Sequence, residues 1–154
     1  MKAKTIFTMC ILLIANLSVA QELFLTCDGI RRTDIEDRDA ETRSEILKFQ
    51  QIPPKSHSRT FIIKNTTVFS DGSATEEKNC DVSQYLIKCE SHMTESFIPN
   101  WLFFYNLEIN RINGSINERS GHNENSGKTN GQNSVRNVQS YFDGTCKKTN
   151  ELTF

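Results

Sequence analysis

The most suggestive chemistry in this 154-residue chain lies at Gly121–Thr129, GHNENSGKT, a glycine-bounded loop that closes on Gly127-Lys128-Thr129. These are the residue types with which a phosphate-binding loop cradles a nucleotide. Such a loop needs four residues between its glycines, a buried strand before it and a helix after it, so that backbone N–H groups converge on phosphate. Here five residues intervene and NGQNS follows, which is a poor helix start. A solvated polar loop over residues 120–134 is expected instead. The three histidines are dispersed: His57 and His122 lie in polar sequence, and His92 has Glu90 and Glu95 as neighbours. No G-x-S-x-G elbow presents a serine, no Cys or His pair has zinc-ligand spacing, and no C-x-x-C occurs. The acidic stretch after Arg31 lacks the D-x-[DN]-x-[DN]-G calcium loop. No catalytic residue, metal ligand or cofactor is expected, which points away from an enzyme.

The sequence says more about location. Residues 1–20 read as a signal peptide: Lys2 and Lys4, an apolar stretch from Ile6 to Ala15, and the small residues Ser18 and Ala20 ahead of a cut after Ala20. The apolar stretch is shorter than the roughly 20 residues a membrane helix needs, and no second one follows. Cys10 leaves with the signal. Residues 21–154 then form one exported domain, periplasmic or secreted. Losing Lys2 and Lys4 takes the net charge from −1 down by two, to −3, which disfavours nucleic acid as a partner.

Four cysteines remain, and an even count in an exported chain reads as two disulfides with three possible connectivities. The pairing expected is Cys27 with Cys146 and Cys80 with Cys89. The first ties the opening strand to the closing one, and the second staples a hairpin. The flanking LTCDG (Leu25–Gly29) and YFDGTCKK (Tyr141–Lys148) mirror one another, as two sides of a seam would, with Gly29 and Gly144 allowing close backbone approach.

The intervening sequence has the rhythm of an all-β domain. Leu23, Leu25 and Cys27 alternate with Phe24 and Thr26. RTFIIKN, TVF, CDVSQYLIKCE and WLFFYNLEIN are β-branched or aromatic, and Asn113-Gly114 marks a hairpin with SINERS returning. About seven or eight short strands imply a small antiparallel barrel or sandwich. Residues 31–55 are the exception, a charged insertion or short surface helix. Thr33 and Glu36 fit a capping box, Asp34 and Arg38 are four apart, and Ile52-Pro53-Pro54 would end the helix. In WLFFYN, Trp101, Phe103 and Tyr105 share one face, which either packs in the core or contacts a partner. Arg111 is expected on the core side, paired with Glu22 or Asp143. The terminal Phe154 suggests an outer-membrane barrel, but CKKTNELTF lacks the alternating apolar residues of a lipid-facing strand. Asn65 and Asn113 head glycosylation sequons, relevant only in a eukaryotic source.

Cys27-x-Gly29, the hairpin Leu107-x-Ile109-Asn110-Arg111-x-Asn113-Gly114 and the closing Gly144-x-Cys146 ahead of Phe154 resemble a group of small exported bacterial proteins. That group has Thr more often where Asn113 stands, and no counterpart to the charged stretch after Arg31. The resemblance implies a bacterial envelope location and a disulfide-stapled β fold, and no activity. The function expected is a protein-binding module, such as an envelope inhibitor or immunity-type protein acting on another envelope protein. A barrel for a small apolar ligand and a hydrolase of unrecognised type are the alternatives.

Overall fold

A computed structural model describes residues 22–71, 78–94 and 102–149. Eight strands follow in order: β1 (Leu23–Asp39), β2 (Ile46–Lys64), β3 (Thr67–Ser70), β4 (Lys78–Val82), β5 (Leu86–Thr94), β6 (Leu102–Asn110), β7 (Ser115–Thr129) and β8 (Gln132–Thr149). Each pairs antiparallel with the next, and β8 returns to β1, closing an up-and-down barrel. The wall is uneven. Strands β3 to β6 have nine residues or fewer, whereas β1, β2, β7 and β8 have 15 to 19. Beyond the short strands the long ones continue as a four-stranded sheet in the order β2–β1–β8–β7, a flap that rises from one end of the barrel.

The barrel follows from alternation. Inward positions carry Leu25 and Cys27 on β1, Phe61 and Ile63 on β2, Ile87 and Cys89 on β5, Leu107 and Ile109 on β6, Ile116 on β7 and Phe142 on β8, all buried. Outward positions between them carry Asp28, Lys88, Glu90, Glu108 and Asp143, all exposed. Apolar inside and charged outside is the reverse of a lipid-embedded barrel. No helix among the described residues is long and apolar enough to cross a membrane.

Two expectations are corrected here. Residues 31–55 are not helical: Thr33–Asp39 pairs with β8 on one side and β2 on the other. Acid-base pairs four apart contribute only about 0.3–0.5 kcal/mol to a helix, far less than two full ladders of backbone hydrogen bonds. The charges are used at strand spacing instead. Arg38 donates to Glu36 two residues away, Nε to Oε2 at 2.8 Å, and Asp34 accepts from Gln51 across the ladder at 2.9 Å. Ile52-Pro53-Pro54 ends nothing; it sits where the β1–β2 register slips between Arg31 and Thr33, a bulge that spares proline a ladder bond. Residues 120–134 are likewise not a loop but the β7–β8 hairpin. Its two-residue turn, Asn130-Gly131, has φ of 54° and 82°, the left-handed pair that matches strand twist.

The ends of the barrel meet as one seam. Cys27 lies directly opposite Cys146 with Cα atoms 3.9 Å apart, and their sulfurs are bonded; Cys80 and Cys89 are bonded in the same way between β4 and β5. Beside the first bridge Gly29 faces Gly144. A Cβ on Gly29 would fall 2.2 Å from the Asp143 carbonyl oxygen, and one on Gly144 2.3 Å from that of Asp28. Any side chain there would force the two strands apart. Gly114, at the β6–β7 turn with φ of 75°, leans on the same place: its carbonyl accepts from the Cys146 N–H at 2.7 Å. The Asn110 side chain holds that turn through the Ile112 and Asn113 N–H groups.

The two bridges differ in the loops they close, 119 residues against 9. Loop-closure entropy assigns ~4.9 kcal/mol to the first and ~2.6 kcal/mol to the second. Urea unfolding of C27S/C146S is therefore expected to show about twice the loss of stability of C80S/C89S. Equal losses would refute a seam that depends on its bridge.

Candidate functional site

The flap has no apolar core, and its inner face shows what replaces one. Ser134, 1% exposed, is hydrogen-bonded through its hydroxyl to those of Ser126 at 2.6 Å and Thr129 at 2.9 Å, and donates to the Gly127 carbonyl. Next along the strands, Arg136 donates through Nε to Asp37 at 3.0 Å and approaches Glu124 at 3.7 Å. Thr33 and Ser140 then share a hydroxyl bond at 3.0 Å. Below them, where the flap becomes barrel, Arg59 of β2 meets Glu118 of β7 across the interior, its Nη1 donating to both carboxylate oxygens at 2.7 and 2.6 Å. Burial alone would lower the Arg59 pKa. The Glu118 carboxylate, then Tyr105 and Asp71, outweigh it and hold the guanidinium charged. The Glu118 side chain is only 5% exposed.

The outer face is different. From β2 to β7 one row runs Phe49, Glu36, Asn137, Asn123, and the next runs Gln51, Asp34, Gln139, Gly121. A groove of about 240 Å³ is lined here by Arg38, Arg43, Asn123, Val135, Asn137 and Gln139. One row further, Tyr141 stands between Arg32 and Arg119, whose guanidinium carbons lie 4.5 and 5.8 Å from its ring centre. Its hydroxyl donates to Gln139 Oε1 at 2.6 Å. At the flap tip Asp39 Oδ1 accepts from the Glu41 and Thr42 N–H groups at 3.0 and 2.8 Å, shaping the turn that presents Arg43.

The flap's β2 side is an open edge. Among the described residues no strand pairs with the outer side of β2 between Ile46 and Ser58, because β3 reaches only Phe61–Lys64. Nearly all of this segment is exposed on both faces, including Ile46, Phe49 and Ile52 at 48%, 55% and 38%.

Tyr105 is buried in the core, and Phe103 is half-buried, stacked on His122 with ring centres 5.5 Å apart. Their shared face therefore points into the barrel and away from a partner. Trp101 lies outside the described residues. Arg111 does not point to the core, and neither Glu22 nor Asp143 is its partner. It lies in the exposed β6–β7 turn and donates through Nη1 to the Ser83 carbonyl at 2.5 Å, tying that turn to the one before β5. His57 lies edge-on to Phe142, ring centres 6.0 Å apart. His122 lies 3.8 Å from Glu124, and His92 is exposed. No group of three metal-binding side chains occurs among the described residues. Phe49 and Asn123 were hidden in stretches that read as helix and loop. One signal for the second existed: Asn130-Gly131 is a hairpin dipeptide, and it places Asn123 on a strand.

No family model, curated protein or solved structure matches the chain. The two disulfides place it in an oxidising, non-cytoplasmic location.

Two outcomes test this electrostatic layout. Arg59→Met leaves the Glu118 carboxylate, 5% exposed, without its partner and is expected to cost roughly 3–5 kcal/mol, whereas R59M/E118L removes both charges and is expected to be near neutral or stabilising. Comparable losses in the two variants by urea unfolding would contradict a desolvated pair. At the tip, the Thr42 N–H holds the Asp39 carboxyl below its usual range. Its contribution is complete above the unfolded value of about 3.9 and is lost as pH falls through the lower folded value. The Thr42 amide chemical shift is expected to titrate with a midpoint below 3.9, and a midpoint at or above it would remove Asp39 from the turn.

Proposed function

We propose that this protein is an exported, non-enzymatic binding module of the bacterial envelope, periplasmic or secreted after cleavage behind Ala20. Its partner is another envelope protein, which it engages through the flap, as an inhibitor or immunity-type protein would. The observation that supports this reading is the open edge of β2. Ile46–Gln51 pairs with a strand on one side only, so apart from the Leu47 carbonyl, which accepts from the Asn130 amide at 3.4 Å, its other side leaves backbone N–H and C=O groups open beside exposed Ile46 and Phe49. An unpaired edge is a template for an added strand: main-chain bonds supply affinity and flanking side chains supply specificity. Pro53 and Pro54 follow immediately and have no N–H to offer, so the dockable stretch ends at Gln51 or Ile52. This confines the partner to a short extended segment.

The barrel interior supports an apolar-ligand role less well. Phe61, Ile87, Leu107 and Ile109 fill it, and the Arg59–Glu118 pair crosses above them. An affinity-tagged chain is expected to capture a discrete partner from periplasmic extract. I46K/F49K, which places two charges on the edge without touching the core, is expected to lower capture at least tenfold at an unchanged unfolding midpoint. Capture undiminished by those charges would exclude the β2 edge. A small molecule retained in native mass spectrometry, with no protein captured, would turn the reading to a ligand-binding barrel.

A further inference from the structure

We infer that the outer face of the flap carries a second site, for an acidic saccharide, in the groove between the carboxamides of Asn123 and Asn137 and the guanidinium of Arg43. The site is separate from the β2 edge and does not depend on the edge being a docking surface.

Arg38 is fully engaged: Nε and Nη2 donate to Glu36, and Nη1 points to the carbonyls of Arg43 and Ser44 at 3.4 and 3.3 Å. It is therefore a fixed wall, and it neutralises the acid beside the groove. Gln139 has its Oε1 occupied by the Tyr141 hydroxyl, which leaves its amide N–H groups to donate elsewhere. By contrast, the side chains of Asn123 and Asn137 make no hydrogen bond within the described chain, although each is half-buried in the groove. The Arg43 guanidinium has no carboxylate partner there either. No buried side-chain N or O atom among the described residues lacks a partner, so the polar atoms of these amides are open to solvent and to a ligand. They are suited to bonding something else.

Their arrangement narrows what that is. Asn123 and Asn137 are directly opposed on β7 and β8, with Cβ atoms about 5 Å apart. Each carboxamide offers one acceptor and two donors in a plane. A hydroxyl both donates and accepts, so adjacent ring hydroxyls match such groups, and Gln139 adds donors at the next pair along. Arg43, at the tip end, supplies a forked donor for one carboxylate. Val135 gives the groove an apolar margin for ring C–H groups. The volume of about 240 Å³ falls below the roughly 300–1,000 Å³ of sites that enclose a whole ligand. One sugar ring seats at a time and the rest of the oligosaccharide lies across the sheet. An extended peptide fits less well, because it would need pockets for alternate side chains, and Val135 is the only apolar residue lining the groove.

Titration of ¹⁵N-labelled protein with tetragalacturonate tests the site, with maltotetraose as the uncharged comparison. The side-chain NH₂ signals of Asn123, Asn137 and Gln139 are expected to shift with the uronate. N123A/N137A is expected to weaken binding at least tenfold, and Arg43→Gln to reduce the preference for uronate over maltotetraose. The uncharged edge variant I46T/F49T is expected to leave the response unchanged, so that failure of the edge and failure of the groove are told apart. Side-chain signals unmoved by uronate at millimolar concentration would overturn the proposal. So would a Gln139 side-chain shift that persists undiminished in N123A/N137A, or an acidic peptide that moves these signals where uronate does not.

Discussion

The covalent closure of β8 onto β1 is the constraint on which everything else rests. An eight-stranded meander has two loose edges until its first and last strands pair, and that contact spans 119 residues of chain. Loop-closure entropy opposes it, so the seam has to be strong locally. The bridge from Cys27 to Cys146, the facing glycines at 29 and 144 and the Gly114 turn act on one short stretch of wall. Close approach demands glycine on both strands, and that symmetry explains why an early Cys-Asp-Gly is answered by a late Asp-Gly-Thr-Cys.

The seam also makes the flap possible. Beyond the barrel β1 and β8 continue as central strands, already in register, and β2 and β7 are carried along as their neighbours. Hydroxyl and ion-pair contacts from Thr33 to Ser134 hold this sheet where apolar packing would serve in a larger domain. Such contacts stabilise modestly, about 0.5–1.5 kcal/mol each net, but leave both faces wettable. The Arg59–Glu118 pair marks the boundary between the two regimes. It is a charged crossbar over an apolar cylinder, positioned by the inward alternation of two strands on opposite walls.

The barrel was legible in the sequence because its strands have one dry face. Leu23-x-Leu25-x-Cys27 and Leu107-x-Ile109 announce themselves by alternation, and the parity and mirrored flanks of the cysteines lead to the observed bridges. The flap was not legible, for a physical reason. Thr33 to Asp39 and His122 to Thr129 are wet on one face and polar on the other, so alternation leaves no hydrophobic signature. Four-residue charge spacing then imitates a helix, and Gly, Asn and Ser imitate a loop. The candidate site lies almost wholly in these segments, which is why Phe49, Asn123 and Asn137 could not be read from pattern. Trp101, Phe103 and Tyr105 drew attention because aromatics are conspicuous, yet Tyr105 is core.

The molecule also has a polarity. Phe24 pairs with Thr149, so the described chain enters and leaves at one pole, while Asp39 and Asn130 turn at the other. Fifteen strand residues separate the poles, about 50 Å of extended backbone. Tethering the protein by either end would hold the flap out like the head of a paddle, well clear of whatever surface bears the handle. Anything approaching from solution would then meet the amide-lined blade before it met the barrel.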